Sequence, residues 1–194
     1  MERASRYPHQ MSSEQLLQAG EKAPPFKIRT FADHDLSMRG LEGSLVYLAL
    51  FRYAACPFCN LRVHRLVEAR EKLAAQDVQT IAVFPSSLEM VDKYIHRYRP
   101  PFHVVADPEE RIHTLYHAQK SFMGLLWMGL KVMTTARAMS FAPNGMGARD
   151  SAIDRMPAEF LIGRDQTIHR AYYGSRFDDH LELDDVYAWA EDQD

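Results

Sequence analysis

The sequence predicts an α/β fold, with one central mixed sheet flanked by helices in a single domain. Three observations carry that expectation. Segments rich in β-formers alternate with segments whose apolar residues recur at helical spacing, the pattern of strand–helix–strand units. The run SLVYLALFR at residues 44–52 is apolar almost without a break, as a strand covered on both faces would be. Residues 158–162 and 167–172 flank the turn-forming Arg164-Asp165-Gln166 and read as a hairpin, which mixes the strand directions.

Taken in order, residues 1–20 read as a short polar helical arm anchored by Leu16 and Leu17 and ended by Gly20. Pro24 and Pro25 then enforce an extended entry into a strand at 26–31. After the central strand, Val63, Leu66, Val67 and Leu73 recur at helical spacing, with charged residues between them, so 57–75 reads as an amphipathic helix. A strand at 79–84, a helix at 88–98 stopped by Pro100-Pro101, a strand at 103–106 and a short helix at 109–117 follow. Residues 122–133 are nearly all apolar, and five of the ten methionines lie between Met123 and Met146. That stretch carries Lys131 and is shorter than the roughly 20 residues a membrane span needs, so it reads as an inserted helix. It belongs to an insertion of about residues 119–150, with a Pro/Asn/Gly loop at 143–147. Core packing, a homodimer interface or an adaptable apolar lid would each use such a methionine-rich surface. A C-terminal helix at 181–190 bears Trp189 and completes a domain of residues 21–194.

Composition narrows the function classes. With 194 residues, 46% of them hydrophobic, the chain can bury one sizeable core. Its net charge of -3 offers no basic field for a phosphate backbone, so nucleic acid is not an expected partner. The first twenty residues lack the apolar core of a secretory leader, and no segment reads as a membrane span; a cytoplasmic location is the expectation. There are only two cysteines, Cys56 and Cys59, too close together to staple a chain this size. In a reducing compartment such a pair is more often chemical than structural.

Thiol–disulfide exchange needs a thiolate attacker and a second thiol to release the mixed disulfide. In Cys56-Pro57-Phe58-Cys59 the pair sits where a strand turns into a helix. Cys56 would meet the unpaired N–H groups and positive dipole end of that helix, which lower a thiol pKa. Arg52 or Arg62 could add positive charge, and Pro57 suits the first helical turn. Cys59, one turn further in and less exposed, is the natural resolving thiol. A zinc site would need further ligands; there is no second cysteine pair, and His64 would point away from Cys56, so no metal is expected. An inert structural pair is the remaining bland reading.

These residues resemble the alkyl hydroperoxide reductase and thiol-specific antioxidant group, the peroxiredoxin-like branch of the thioredoxin superfamily. The likeness covers most of residues 20–175: Gly20-Glu21-Lys22-Ala23-Pro24-Pro25-Phe26 resembles its entry segment. Val105-Ala106-Asp107-Pro108 with Leu115-Tyr116 is similar to its strand and helix past the site, and Phe160-Leu161-Ile162 to its late strand. The resemblance implies a thioredoxin-like fold. The departures are informative. The group's peroxide-reacting cysteine follows a proline by seven residues and a Thr or Ser by three; counting back from Cys56 gives Ala49 and Tyr53. Where the group has an arginine three residues before the late-strand aromatic, this chain has Pro157, with Arg155 nearby. A proline there resembles the cis-proline of thioredoxins and glutaredoxins, so Met156-Pro157 is expected to be a cis bond packed against the cysteines. An ordinary trans-proline at a strand start is the alternative. Pro57-Phe58 looks like a glutaredoxin dipeptide.

The expected function is a thiol–disulfide oxidoreductase with a reversible Cys56–Cys59 disulfide and an antioxidant role. The alternatives are a thiol-dependent hydroperoxide peroxidase and a redox-inert or redox-sensing interaction module. No cofactor is expected beyond an external thiol reductant such as thioredoxin or glutathione. The other partner would be a disulfide-bearing protein or a small hydroperoxide.

Overall fold

The structure is a computed structural model and describes residues 16–120 and 154–193. The expected methionine-rich helix, the loop after it and most of the N-terminal arm lie outside the described residues. Residues 16–20, the part of that arm within them, are irregular and end in a turn at Gly20.

The central strand forms as its apolar run predicts. β3 (Leu45–Leu50) is buried along its whole length. It pairs in parallel with β4 (Val78–Phe84), which pairs in parallel with β5 (His103–Ala106). On its other side β3 pairs antiparallel with β6 (Ala158–Ile162), and β6 with β7 (Ile168–Tyr173). The five-stranded order is therefore β5-β4-β3-β6-β7, and the sheet is mixed as expected. A separate hairpin of β1 (Lys27–Arg29) and β2 (Asp35–Ser37) joins the sheet edge where the Phe31 amide donates to the Val104 carbonyl at 2.7 Å. The N-terminal segment lies along the start of β7, with Gly20 N–H on the Ile168 carbonyl and Ile168 N–H on the Glu21 carbonyl, both at 2.8 Å.

Side chains of β3 alternate between two core layers. Leu45, Tyr47 and Ala49 face helices α1 (Pro57–Glu68), α2 (Arg70–Ala75), α3 (Leu88–Tyr94) and α5 (Leu183–Glu191), through Val63, Leu66, Leu73, Val91 and Val186. Val46, Leu48 and Leu50 face α4 (Arg111–Leu115) and the β1–β2 side, through Ile112, Tyr116, Leu36 and Met38. Each fully buried aliphatic side chain contributes about 1.5–3 kcal/mol. The helix expected over 57–75 breaks at Ala69 into α1 and α2, although the bond from Ala69 N–H to Arg65 O persists at 2.9 Å. The helix expected over 88–98 tightens after Tyr94 into a 3-10 turn at His96–Tyr98.

β3, β4 and β5 all end at the same side of the sheet. Cys56, Asp107 and α4 follow from those ends, which places the chemistry-bearing residues at the carboxyl edge of the parallel half, where α/β sheets commonly carry their sites.

Candidate functional site

Cys56 is the N-cap of α1, extended at φ -67° and ψ 122°, with Pro57 at the first helical position. The turn is fixed by its neighbours. The Cys56 amide donates to the Tyr53 carbonyl at 3.1 Å, and the Ala54 amide to Ser86 Oγ at 3.0 Å. Asn60 is fully buried, and its Nδ2 donates to the carbonyls of Ala54 at 2.6 Å and Cys56 at 2.9 Å. That side chain clamps the loop in front of the helix to the helix itself.

Both cysteines are free thiols and both are sealed from solvent. Cys59 was expected to be the less exposed of the two; in fact neither shows any surface. Arg52, only 1% exposed, places Nη1 3.5 Å from Cys56 Sγ and donates from Nε to the Arg155 carbonyl at 2.7 Å. Burial pushes the Cys56 thiol upward. The hydrogen bond from the Cys59 thiol, the Arg52 charge and the amides of Cys59 and Phe58 outweigh it, and the pKa falls from 9.0 to about 6. Cys59 moves the other way, held well above the ordinary range by burial and by the neighbouring Cys56 sulfur. The pair is thus polarised, with Cys56 favouring the thiolate and Cys59 the thiol.

Arg62 does not supply charge to Cys56. Its Nη2 donates to Tyr47 Oη at 2.8 Å and to the Leu181 carbonyl at 2.7 Å, and its Nε lies 3.5 Å from Glu159 Oε1. Glu159 is a buried hub. It accepts from Tyr47 Oη at 2.8 Å, from the Leu181 amide at 2.6 Å and from His180 Nδ1 at 2.8 Å. Burial alone would raise its pKa, but Arg62 and His180 bring it down to about 2. The network ties α1 to residues 180–181. From the same loop Phe177, 1% exposed, packs on Phe58 with ring centroids 4.6 Å apart and on the Arg52 guanidinium at 5.4 Å. A cleft of about 150 Å³ opens beside Phe58, between Leu61, Arg65, His180 and Glu182.

The Met156–Pro157 expectation is corrected: among the described residues there is no cis peptide bond. The Met156 amide donates to the Gln119 carbonyl at 3.0 Å and the Pro157 carbonyl accepts from the Gly174 amide at 2.9 Å. These bonds hold both residues of the peptide just before β6 with the amide trans. Met156 is buried rather than presented for pairing. A Cβ on Gly174 would lie 2.8 Å from Pro157 Cγ, so that close approach requires glycine. Arg155 engages Glu110 and the Ala118 carbonyl with its guanidinium, and supports Arg52 through its own carbonyl.

A second buried group escaped the sequence reading, which singled out no histidine. His113 is fully buried on α4; its Nε2 lies 2.9 Å from the Phe51 carbonyl and its Nδ1 3.5 Å from Asp107. Asp107 accepts from the Arg111 and Ile112 amides at 3.0 and 2.8 Å, capping α4. Residues 51 and 107, at the ends of β3 and β5, are thereby joined just before Arg52.

A sequence profile described as the AhpC/TSA family matches residues 19–171. The chain belongs to the AhpC/TSA family. It is accordingly an oxidoreductase of thiol chemistry. Its fold is similar to that of the peroxidoxin BcpB of Mycobacterium tuberculosis, at 12% identity and a TM-score of 0.63, covering 91% of this chain and 97% of that one. It is also similar to a protein described as the thiol:disulfide interchange protein DsbE of Chlorobium tepidum, at 21% identity and TM-score 0.61, covering 90% and 98%. The reduced 2-Cys peroxiredoxin of Plasmodium vivax is another such structure, at 12% identity and TM-score 0.65, covering 90% and 81%. No curated protein matches the chain significantly. Among the described residues, no helix of this AhpC/TSA member is long and apolar enough to cross a membrane, and no group of three or more His, Cys, Asp or Glu could hold a metal ion.

Proposed function

We propose that this AhpC/TSA member is a thiol–disulfide oxidoreductase in which Cys56 attacks and Cys59 resolves. The observation that carries the reading is the polarised pair itself: Cys56 ionised against Arg52, with the protonated Cys59 thiol hydrogen-bonded to it. At a pKa of about 6, Cys56 is roughly nine-tenths thiolate at neutral pH. Its sulfur attacks one sulfur of a substrate disulfide, forming a mixed disulfide and expelling the other sulfur as a thiolate, which takes a proton. Cys59 then loses its proton and attacks Cys56 Sγ, and the second substrate sulfur leaves as a thiol. The substrate gains two electrons and two protons, and Cys56–Cys59 is left oxidised. A thiol reductant such as thioredoxin or glutathione restores the pair, with no prosthetic group in the cycle. Pro57 starts the helix that supplies the amides, and Phe58 forms the wall beside the pair.

A second reading, peroxide reduction, is favoured by the family and by Arg52, a cation placed to stabilise a departing oxygen. There Cys56 attacks the peroxide, an alcohol or water leaves, and Cys59 condenses with the sulfenic acid, releasing water. Against it, Ala49 and Tyr53 stand where the resemblance calls for proline and a Thr or Ser, and Tyr53 is buried.

Stopped-flow reaction of the reduced protein with a protein disulfide and with hydrogen or alkyl hydroperoxides separates the two. The expected result is rapid exchange with the disulfide and a peroxide rate no faster than free cysteine. The reverse ranking transfers the assignment to peroxide reduction, and a pair that never cycles in a glutathione buffer defeats both.

A further inference from the structure

We propose that Phe177 is a positioning residue of the Arg52–Cys56 pair, a ring that helps hold the guanidinium against the sulfur and keeps water from both. The inference rests on Cys56 being the attacking thiolate and adds the element that maintains it.

Three observations converge. Phe177 is almost wholly buried although it lies in the irregular segment between β7 and α5, so the loop has been drawn into the molecule around it. Its ring lies over the Arg52 guanidinium carbon at 5.4 Å, the distance at which the Tyr53 ring also lies, and packs against Phe58, which precedes Cys59, at 4.6 Å. Arg52 in turn reaches Cys56 Sγ at 3.5 Å. The path from loop to sulfur is therefore continuous: Phe177, Arg52, Cys56.

The loop that carries Phe177 is secured from both sides. Upstream, the Gly174 amide bonds to the Pro157 carbonyl, and Asp179 accepts from Ser175 N and Ser175 Oγ, each at 2.8 Å, and from the Tyr172 hydroxyl. Downstream, Glu159 accepts from the Leu181 amide and His180, while Arg62 donates to the Leu181 carbonyl. This much polar anchoring fixes where the ring lies. A cation over an aromatic face is worth more when water is excluded from it. The attraction between Arg52 and the thiolate likewise strengthens as the local dielectric falls.

The direction of the effect follows from the balance at Cys56. Burial opposes the thiolate while Arg52, Cys59 and two amides favour it, and the favourable contributions prevail. Water admitted at Phe177 weakens every one of these influences, so the thiol returns toward its ordinary value.

The test is the titration of Cys56 in the reduced full-length chain, followed by thiolate absorbance and by the pH dependence of iodoacetamide alkylation, mapped to Cys56 by mass. Phe177→Ala is expected to raise the midpoint by about one unit, a roughly tenfold loss of thiolate on the acid side. Phe177→Tyr, which keeps the ring face, is expected to titrate as the parent does. Phe177→Leu keeps apolar bulk without a ring and should fall between; it serves in place of the alanine variant if that fails to fold. Parent midpoints for the alanine and leucine variants, with far-ultraviolet circular dichroism unchanged, overturn the proposal. Failure of the underlying reading is separate and visible in the parent alone, as a Cys56 that titrates like a free thiol.

Discussion

The Arg52 guanidinium lies 3.5 Å from the Cys56 sulfur, with both side chains sealed from solvent. A buried cation is costly unless something nearby uses its charge, and here the thiolate does. Arg52→Met removes that charge with little change in bulk. The Cys56 pKa is expected to rise from about 6 by one to two units, about 1.4–2.7 kcal/mol of lost thiolate preference. Thiolate absorbance against pH checks it; an unmoved midpoint would mean that the helix amides and Cys59 suffice.

Cys59 is the release device in the proposed cycle. Cys59→Ser keeps a hydroxyl donor beside Cys56 but cannot form the second disulfide. The variant is expected to accumulate a covalent adduct through Cys56, stable until reductant is added, whereas Cys56→Ser forms none. Intact-mass measurement after mixing with a disulfide substrate decides this. Equal adduct in both variants would assign attack to either thiol.

Glu159 and Arg62 form a buried ion pair, both under 5% exposed, within a shared hydrogen-bond network. Removing one partner strands the other charge, so Glu159→Leu and Arg62→Met should each cost about 3–5 kcal/mol in urea unfolding. The double variant should recover part of that loss, because neither charge of the pair is left stranded, although His180 and the Leu181 amide still lose their acceptor. Additive losses would mean that the two residues act independently.

Cys56 and Glu159 are among the groups that make stability depend on pH, and they act in separate windows. Cys56 and Glu159 both have lowered folded values, so each stabilises the native state above its unfolded pKa and ceases to do so as pH falls through its folded pKa. For Cys56 the window runs from 9.0 down to about 6, and for Glu159 from 4.5 down to about 2. Urea midpoints of the reduced protein should therefore decline in both windows as pH falls. Cys56→Ser is expected to make the upper decline shallower, and Glu159→Gln the lower, where Asp107, Asp165 and Asp179, also held below the usual carboxylate range, keep part of the slope. Unchanged slopes in either variant would contradict the corresponding assignment.

The cysteine pair, the helix behind it and the alternation of strands and helices along the chain were legible because each is a local pattern: a spacing of three, a period of 3.6, an unbroken apolar run. Arg52 was legible as a neighbour four residues away. Glu159 and Arg62 were not, because they meet across 97 positions of chain. The only local sign was a lone carboxylate in the otherwise apolar AEFLI. His113 meets the Phe51 carbonyl across 62 positions, and nothing in its own segment marks it as buried. Strand β2, with one apolar residue in DLS, carries too little pattern to stand out. The cis bond at Pro157 was inferred by likeness to other redox proteins, and this chain meets the position with a trans bond.

The pairing of residues 20–23 with the start of β7 has a consequence outside the chemistry. Two of its bonds engage the amide and carbonyl of Ile168, and a third joins the Ala23 amide to the Gln166 carbonyl at 2.8 Å. An outer strand left bare is a template on which other chains can assemble. This segment acts as a selvedge over the start of that border, closing off backbone groups that would otherwise be open to another chain. A chain shortened past Ala23 should keep its cysteine chemistry yet grow turbid on storage, with the onset set by protein concentration. Light scattering would follow it, and a clear solution at every concentration would show that the border is protected by other means.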